Sequence, residues 1–185
     1  MKKTVLVILT VLALNNLSLA QDKLVSKEGS INFFSHTVAE DISSDNYSVT
    51  TTLEPSTGKI VFVVAMQGFE FEKALMQKHF NSSKFLDTKT YPKGKFIGQI
   101  TNLSDINFSK NGTYEASVEG DLSIHGETKS IKEKGTVTVA DNSIQIDSKF
   151  KTTLDDFKIA FDKGKPSTNI AKEIDVTVKS VYKKQ

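Results

Sequence analysis

The feature that most constrains the fold is a run of strict alternation at residues 113–125. Tyr114, Ala116, Val118, Gly120, Leu122 and Ile124 fall on one face, and Thr113, Glu115, Ser117, Glu119, Asp121, Ser123 and His125 on the other. Successive side chains of a β-strand point to opposite faces, so this pattern specifies a strand with one buried and one wet face. Unbroken, such a strand is about 40 Å long at ~3.3 Å per residue. Gly120, at an inward step, predicts a bend or bulge.

The same period recurs along the chain. Residues 128–139 set Ile131, Val137 and Val139 against Lys132, Lys134, Thr136 and Thr138. Residues 143–151 set Ile144, Ile146 and Phe150 against Gln145, Asp147, Lys149 and Lys151, after a tight-turn signal at Asp141-Asn142. Residues 172–182 alternate Ile174, Val176 and Val178 with Asp175, Thr177 and Lys179, and residues 47–53 alternate from Tyr47 to Leu53. Residues 59–66 are apolar on both faces, which predicts cover on the outer side from the helix that follows. With strands near 29–35 and 94–101, the total is about eight. Long antiparallel strands at short spacing build a sandwich or a barrel. A barrel removes exposed sheet edges, and eight strands leave room for side chains or one slender ligand.

The first twenty residues read as an export leader rather than as part of this fold. Lys2 and Lys3 precede an apolar run over residues 4–14, and Ser18-Leu19-Ala20 supplies a small-x-small cleavage site. The run is shorter than the roughly 20 residues a membrane span needs. A signal peptide over 1–20 and one β-domain over 21–185 are therefore expected, placed in the periplasm or secreted, with no stable membrane anchor. The whole chain carries 24 basic and 22 acidic residues, but two of the lysines lie in the leader. The remainder balances to zero with charges interspersed, which argues against nucleic acid as a partner. There is no cysteine, so neither a disulfide framework nor thiol chemistry is available.

Between the strands lies one helical pattern near residues 70–80. Phe71, Ala74, Leu75 and Lys78 share a face by i, i+3, i+4 spacing, with Met76, His79 and Phe80 nearby. Asn81-Ser82-Ser83 ends it, and Tyr91-Pro92 forces extended backbone. A shorter helical turn is expected around residues 154–157. The order His79, Phe80, Phe85-Leu86, Tyr91-Pro92, Lys95-Phe96, followed by Gly120-Asp121-Leu122-Ser123-Ile124-His125-Gly126, resembles the YceI-like family. The chain departs from that pattern at Leu154-Asp155-Asp156-Phe157-Lys158, which lacks the usual Arg and Gly, and at Leu75-Met76-Gln77-Lys78-His79, which lacks the acidic-Arg-Asp charges. The resemblance implies an all-β fold: a single antiparallel, eight-stranded, lipocalin-like barrel with one short inserted helix, enclosing an isoprenoid chain.

No catalytic constellation competes with that reading. The three histidines, His36, His79 and His125, show no metal-ligand spacing. His79 is expected to cap the helix or bond the loop, and His125 to serve a turn. No nucleophile elbow occurs, and the Ser123–His125 pair is ordinary alternation. No catalytic residue, metal or cofactor is expected; a hydrolase built on His79 would need a nucleophile and an acid partner within reach. The expected wall of a lipid cavity is Phe33, Phe62, Val64, Phe96, Ile100, Tyr114, Val118, Leu122, Ile146, Phe150 and Val176. His79, Phe80, Phe85, Lys93 and Lys95, with Lys84, are expected at the mouth, where lysines could meet an anionic head. The expected partner is an isoprenoid or a fatty-acid-like lipid. The alternative is an interaction module whose interior is packed from end to end.

Overall fold

A computed structural model describes residues 23–159 and 169–184. The leader expected over residues 1–20 lies outside the described residues. The strands are β1 (Leu24–His36), β2 (Asp41–Glu54), β3 (Lys59–Ala65), β4 (Phe69–Glu70), β5 (Lys93–Ile100), β6 (Gly112–Ile124), β7 (Glu127–Val139), β8 (Ser143–Thr153) and β9 (Glu173–Lys183), with one helix, α1 (Ala74–Asn81). Every pairing is antiparallel, in the order β1-β9-β8-β7-β6-β5-β3-β2, and β1 pairs with β2 to close the ring. The expected eight-stranded barrel is thus formed, with β4 added as a two-residue strand against β2.

Closure explains why β1 and β2 are longer than alternation predicts. Ser26-Lys27-Glu28 and the acidic start of β2 carry no apolar period, yet both are held by β1–β2 pairing from Leu24↔Leu53 to His36↔Asp41. Register shifts on either side of Gly29 absorb the irregularity. No bulge occurs at Gly120: β6 pairs without interruption with β7 over its whole length. Gly120 instead faces Gly98 across β5 and β6. A Cβ on Gly120 would stand 2.4 Å from the Gly98 Cα and 2.7 Å from the Phe96 ring. The glycine pair is therefore a shelf on which Phe96 lies.

The ends of the barrel differ. One carries the 55–58 turn, the 101–111 segment and the 140–142 turn; the other carries the 37–40 turn, the 66–92 excursion with α1, the His125-Gly126 turn and the segments 154–159 and 169–172. The first is closed. Leu103, Ile106 and Phe108 fold in against a core that includes Leu53, Ile100, Val137, Ile144 and Tyr182. Helix α1 caps the second end, and the cover expected over the outer face of β3 is absent: Val61 and Val63 are half-buried, Val61 standing beside Ile97. The buried side of α1 is also not the expected one. Leu75 is 64% exposed and Ala74 and Lys78 are exposed, whereas Met76, Gln77 and Phe80 turn inward. The helix starts at Ala74, beyond Phe71, so Phe71 does not set its face. The expected turn at residues 154–157 is a 3-10 turn, ended by Lys158 in the left-handed region.

Candidate functional site

Inward steps of the strands enclose a cavity of about 340 Å³ that runs from the middle of the barrel to the α1 end. This falls at the lower end of small-molecule pockets. Its wall takes Ile31 and Phe33 from β1, Ile60, Phe62 and Val64 from β3, Phe96 from β5, Val118 and Leu122 from β6, Ile146 and Phe150 from β8, and Val176 from β9. The wall is overwhelmingly apolar because alternation sends the charged partners outward, where they pair on the surface, as in Lys132–Glu119 and Lys151–Glu173.

A cluster of phenylalanines stands at the mouth. The Phe80 ring lies 5.0 Å from Phe71, 5.3 Å from Phe69, 5.8 Å from Phe33 in a stacked pose, and 6.3 Å from Phe85. Aromatic pairs at these separations add to the area they bury. Phe80 is 6% exposed and sits at the centre, so α1 works as the carrier of one ring that holds four others. His79 borders the cavity beside it; its carbonyl accepts from the Ser82 N–H at 3.1 Å and from Ser82 Oγ at 2.7 Å, ending the helix.

The family-like motif residues meet on the rim of this end. His125 has a φ of 52° and Gly126 of 80°, so the β6–β7 turn uses two left-handed residues in succession. The Tyr91 ring stands edge-on to the His125 ring at 4.7 Å, and a Cβ on Gly126 would meet Tyr91 at 2.8 Å. His125 Nδ1 lies 3.1 Å from the Phe157 carbonyl, and Lys158 pairs with Glu127 at 2.6 Å. That bond holds the Glu127 carboxyl below its ordinary range. Tyr91, His125, Gly126 and Phe157 thus tie three connections together and brace the mouth. Among the described residues, no group of three His, Asp or Glu side chains is placed to hold a metal ion.

Of the predicted wall, nine residues line the cavity and two do not. Ile100 is inward but buried at the closed end, where it meets Gly58 and Leu103. Tyr114 lies at the same end, its hydroxyl donating to the Lys110 carbonyl at 2.9 Å. At the mouth, His79, Phe80 and Phe85 border the cavity. Lys93 does not, and Lys95, although it borders the wall, is exposed at an outward step beside inward Gly94 and Phe96. Both lysines therefore stand at outward steps of β5. Sequence reading missed Phe69 and Phe71, which sit on and beside the two-residue β4, and Glu133 on β7. Glu133 faces the cavity opposite Val118, and burial pushes its carboxyl above the ordinary range.

Known proteins share this architecture. A polyisoprenoid binding domain from Saccharophagus degradans implicated in plant cell wall breakdown superposes with a TM-score of 0.73 at 11% identity, covering 88% of this chain and 98% of that one. Burkholderia cenocepacia BcnA gives 0.69 at 16% identity, over 83% and 95%. In sequence, a UPF0312 protein of Pseudomonas putida (strain W619) is 28% identical over 137 residues; the match spans 71% of this chain and 66% of that protein, just under two thirds of its length. The YceI-like domain matches residues 23–182, all of the barrel but the last residue of β9, and the chain belongs to that family.

Proposed function

We propose that this protein is a binding module that takes up the apolar chain of an isoprenoid or fatty-acid-like amphiphile inside its barrel, and that it does so outside the cytoplasm after loss of the 1–20 leader. The observation that carries the reading is the cavity: about 340 Å³ of space walled by aliphatic and aromatic side chains, ending in a stack of phenylalanines. Each buried CH₂ contributes ~0.8 kcal/mol, so about ten buried methylenes contribute roughly 8 kcal/mol before the cost of association. An apolar tail can therefore be held without a charged contact. The polyisoprenoid binding domain of Saccharophagus degradans, with the same fold, supports this choice of ligand class. The packed-interior alternative is disfavoured by the open space between Phe62, Val118, Leu122 and Phe150.

The test is to purify the protein from its host, extract it with organic solvent and analyse the extract by mass spectrometry. A stoichiometric long-chain lipid is the expected result. A ligand-free protein that also fails to bind prenylated quinones and fatty acids would overturn the reading. Val118→Phe, which fills the mid-barrel, should weaken binding at least tenfold while leaving the circular dichroism spectrum unchanged.

A further inference from the structure

The cavity wall is not uniform, and the shortest ladder of the closed ring lies between β7 and β8. Strands β7 and β8 share only five residue pairs, from Gly135↔Ser148 to Val139↔Ile144. Yet β7 makes thirteen pairs with β6, and β8 makes eleven with β9. Toward the mouth the two strands part, leaving a wedge in the ladder with the Gly135–Ser148 pair at its apex. The apex is tight: a Cβ on Gly135 would stand 2.4 Å from the Asp147 carbonyl oxygen. Just past it, Ser148 Oγ donates to the Lys134 carbonyl at 2.7 Å, which satisfies a backbone group the parted ladder leaves behind.

Glu133 is the next inward residue after Gly135, directly inside the wedge. Val118 faces it from β6, and Ser148 and Phe150 line the cavity from β8. None of these carries a charge. Lys132 and Lys134, its neighbours in sequence, are exposed on the outer face. Among the described residues no hydrogen-bond donor or cation holds the carboxyl, and desolvation alone raises its pKa. A carboxyl turned into an apolar wall costs stability unless something binds it. Other acids near the cavity do not share this state: Glu40, at the mouth, is paired with Lys73 at 2.8 Å.

We propose that Glu133 reads the polar group of the ligand, accepting a hydrogen bond from a hydroxyl or amine carried into the wedge and turning away carboxylates and phosphates. The inference rests on the amphiphile-binding reading above and adds the class of head group. A hydroxyl or ammonium donor compensates the partly desolvated acceptor, and hydrogen bonds to charged groups are among the stronger ones. An anionic group at the same depth meets a like charge across a low-dielectric cavity.

Calorimetric titration with three probes of equal chain length tests it: dodecanol, dodecylamine and dodecanoate, each kept below its solubility or micellar limit. The wild-type protein should bind the alcohol and the amine at least about tenfold more tightly than the acid. Glu133→Gln keeps the shape and an acceptor oxygen, so the alcohol should stay within a few-fold. The amine should lose about tenfold, and the acid should gain until the gap closes. Glu133→Leu should lose the preference for the alcohol as well. Equal binding of all three by the wild-type protein, or an unchanged ranking in Glu133→Gln, would overturn the role of Glu133 while leaving the cavity as a lipid site. No binding of any of the three would overturn the lipid-cavity reading itself, and the role of Glu133 with it.

Discussion

At the closed end of the barrel Leu53, Val137 and Tyr182 are 0% exposed, whereas at the mouth Phe33, Phe71, Phe85 and Phe96 are only partly buried although they lie on the same core. Both ends are made from strands with the same alternation. The difference lies in what the connections supply. The 101–111 segment folds Leu103, Ile106 and Phe108 back into the barrel. The 66–92 excursion instead lays one helix over the top and holds it by rings. Side chains from the connections fill one half of the interior, and the other half keeps its space. Stability and binding are thus assigned to opposite ends of one sheet.

Leu53→Ala should be the most damaging change that spares the cavity. It leaves a void in a site with no exposed surface to relax into, at a cost of roughly 3–5 kcal/mol. A urea titration should show a lower midpoint with the ligand off-rate of the folded protein unchanged. Gly120→Ala comes next, at about 3 kcal/mol, because the new methyl group meets the Gly98 backbone rather than a movable side chain. It should also lift the Phe96 ring off its shelf into the cavity, so ligand capacity should fall with stability. Phe80→Ala reverses the balance. Losing the central ring of the mouth should cost about 2 kcal/mol, less than a core truncation, since the helix stands outside the closed ladder. Ligand exchange, followed by stopped-flow displacement, should accelerate severalfold. If Leu53→Ala speeds exchange and Phe80→Ala does not, the division between the two ends is wrong.

Alternation made the barrel legible because burying one face of a strand is what the pattern encodes. It gives the face of a residue but not its depth along the barrel axis. Ile100 and Tyr114 therefore read as wall residues, and both do point inward, but at the filled end. Lys93 and Lys95 share the outward parity opposite Phe96, so alternation already set them on the outer side of β5. Phe69 and Phe71 escaped because a two-residue strand has no period to detect. Glu133 was hidden for the opposite reason. Between Ile131 and Val137 the inward steps are Glu133 and Gly135, and a search for apolar residues passes over both. The register that sets Glu133 opposite Val118 bears out the direction its spacing from Ile131 and Val137 implies.

That inward acid gives the smallest stability effect and the one with a definite pH signature. The folded-state pKa of Glu133 is raised above its value of about 4.5 in the unfolded chain, because burial disfavours the ionised form. In the window between those two values the folded state binds the proton and the unfolded state does not, so stability falls as pH rises through it. Below 4.5 both states are protonated and the penalty vanishes; above the folded pKa it is fully present. Glu133→Gln removes the titration. The variant should match the wild-type protein at pH 4 and exceed it at pH 7 by a fraction of a kcal/mol, the size being limited by partial solvent access. Val118, Ser148 and Phe150, which share its part of the cavity wall, contribute no titration of their own. Urea midpoints measured across pH 4–7 decide the matter. Identical curves for the two proteins would place the carboxyl in water rather than in the wall, and would remove the polar feature that distinguishes the binding half of the barrel from the filled half.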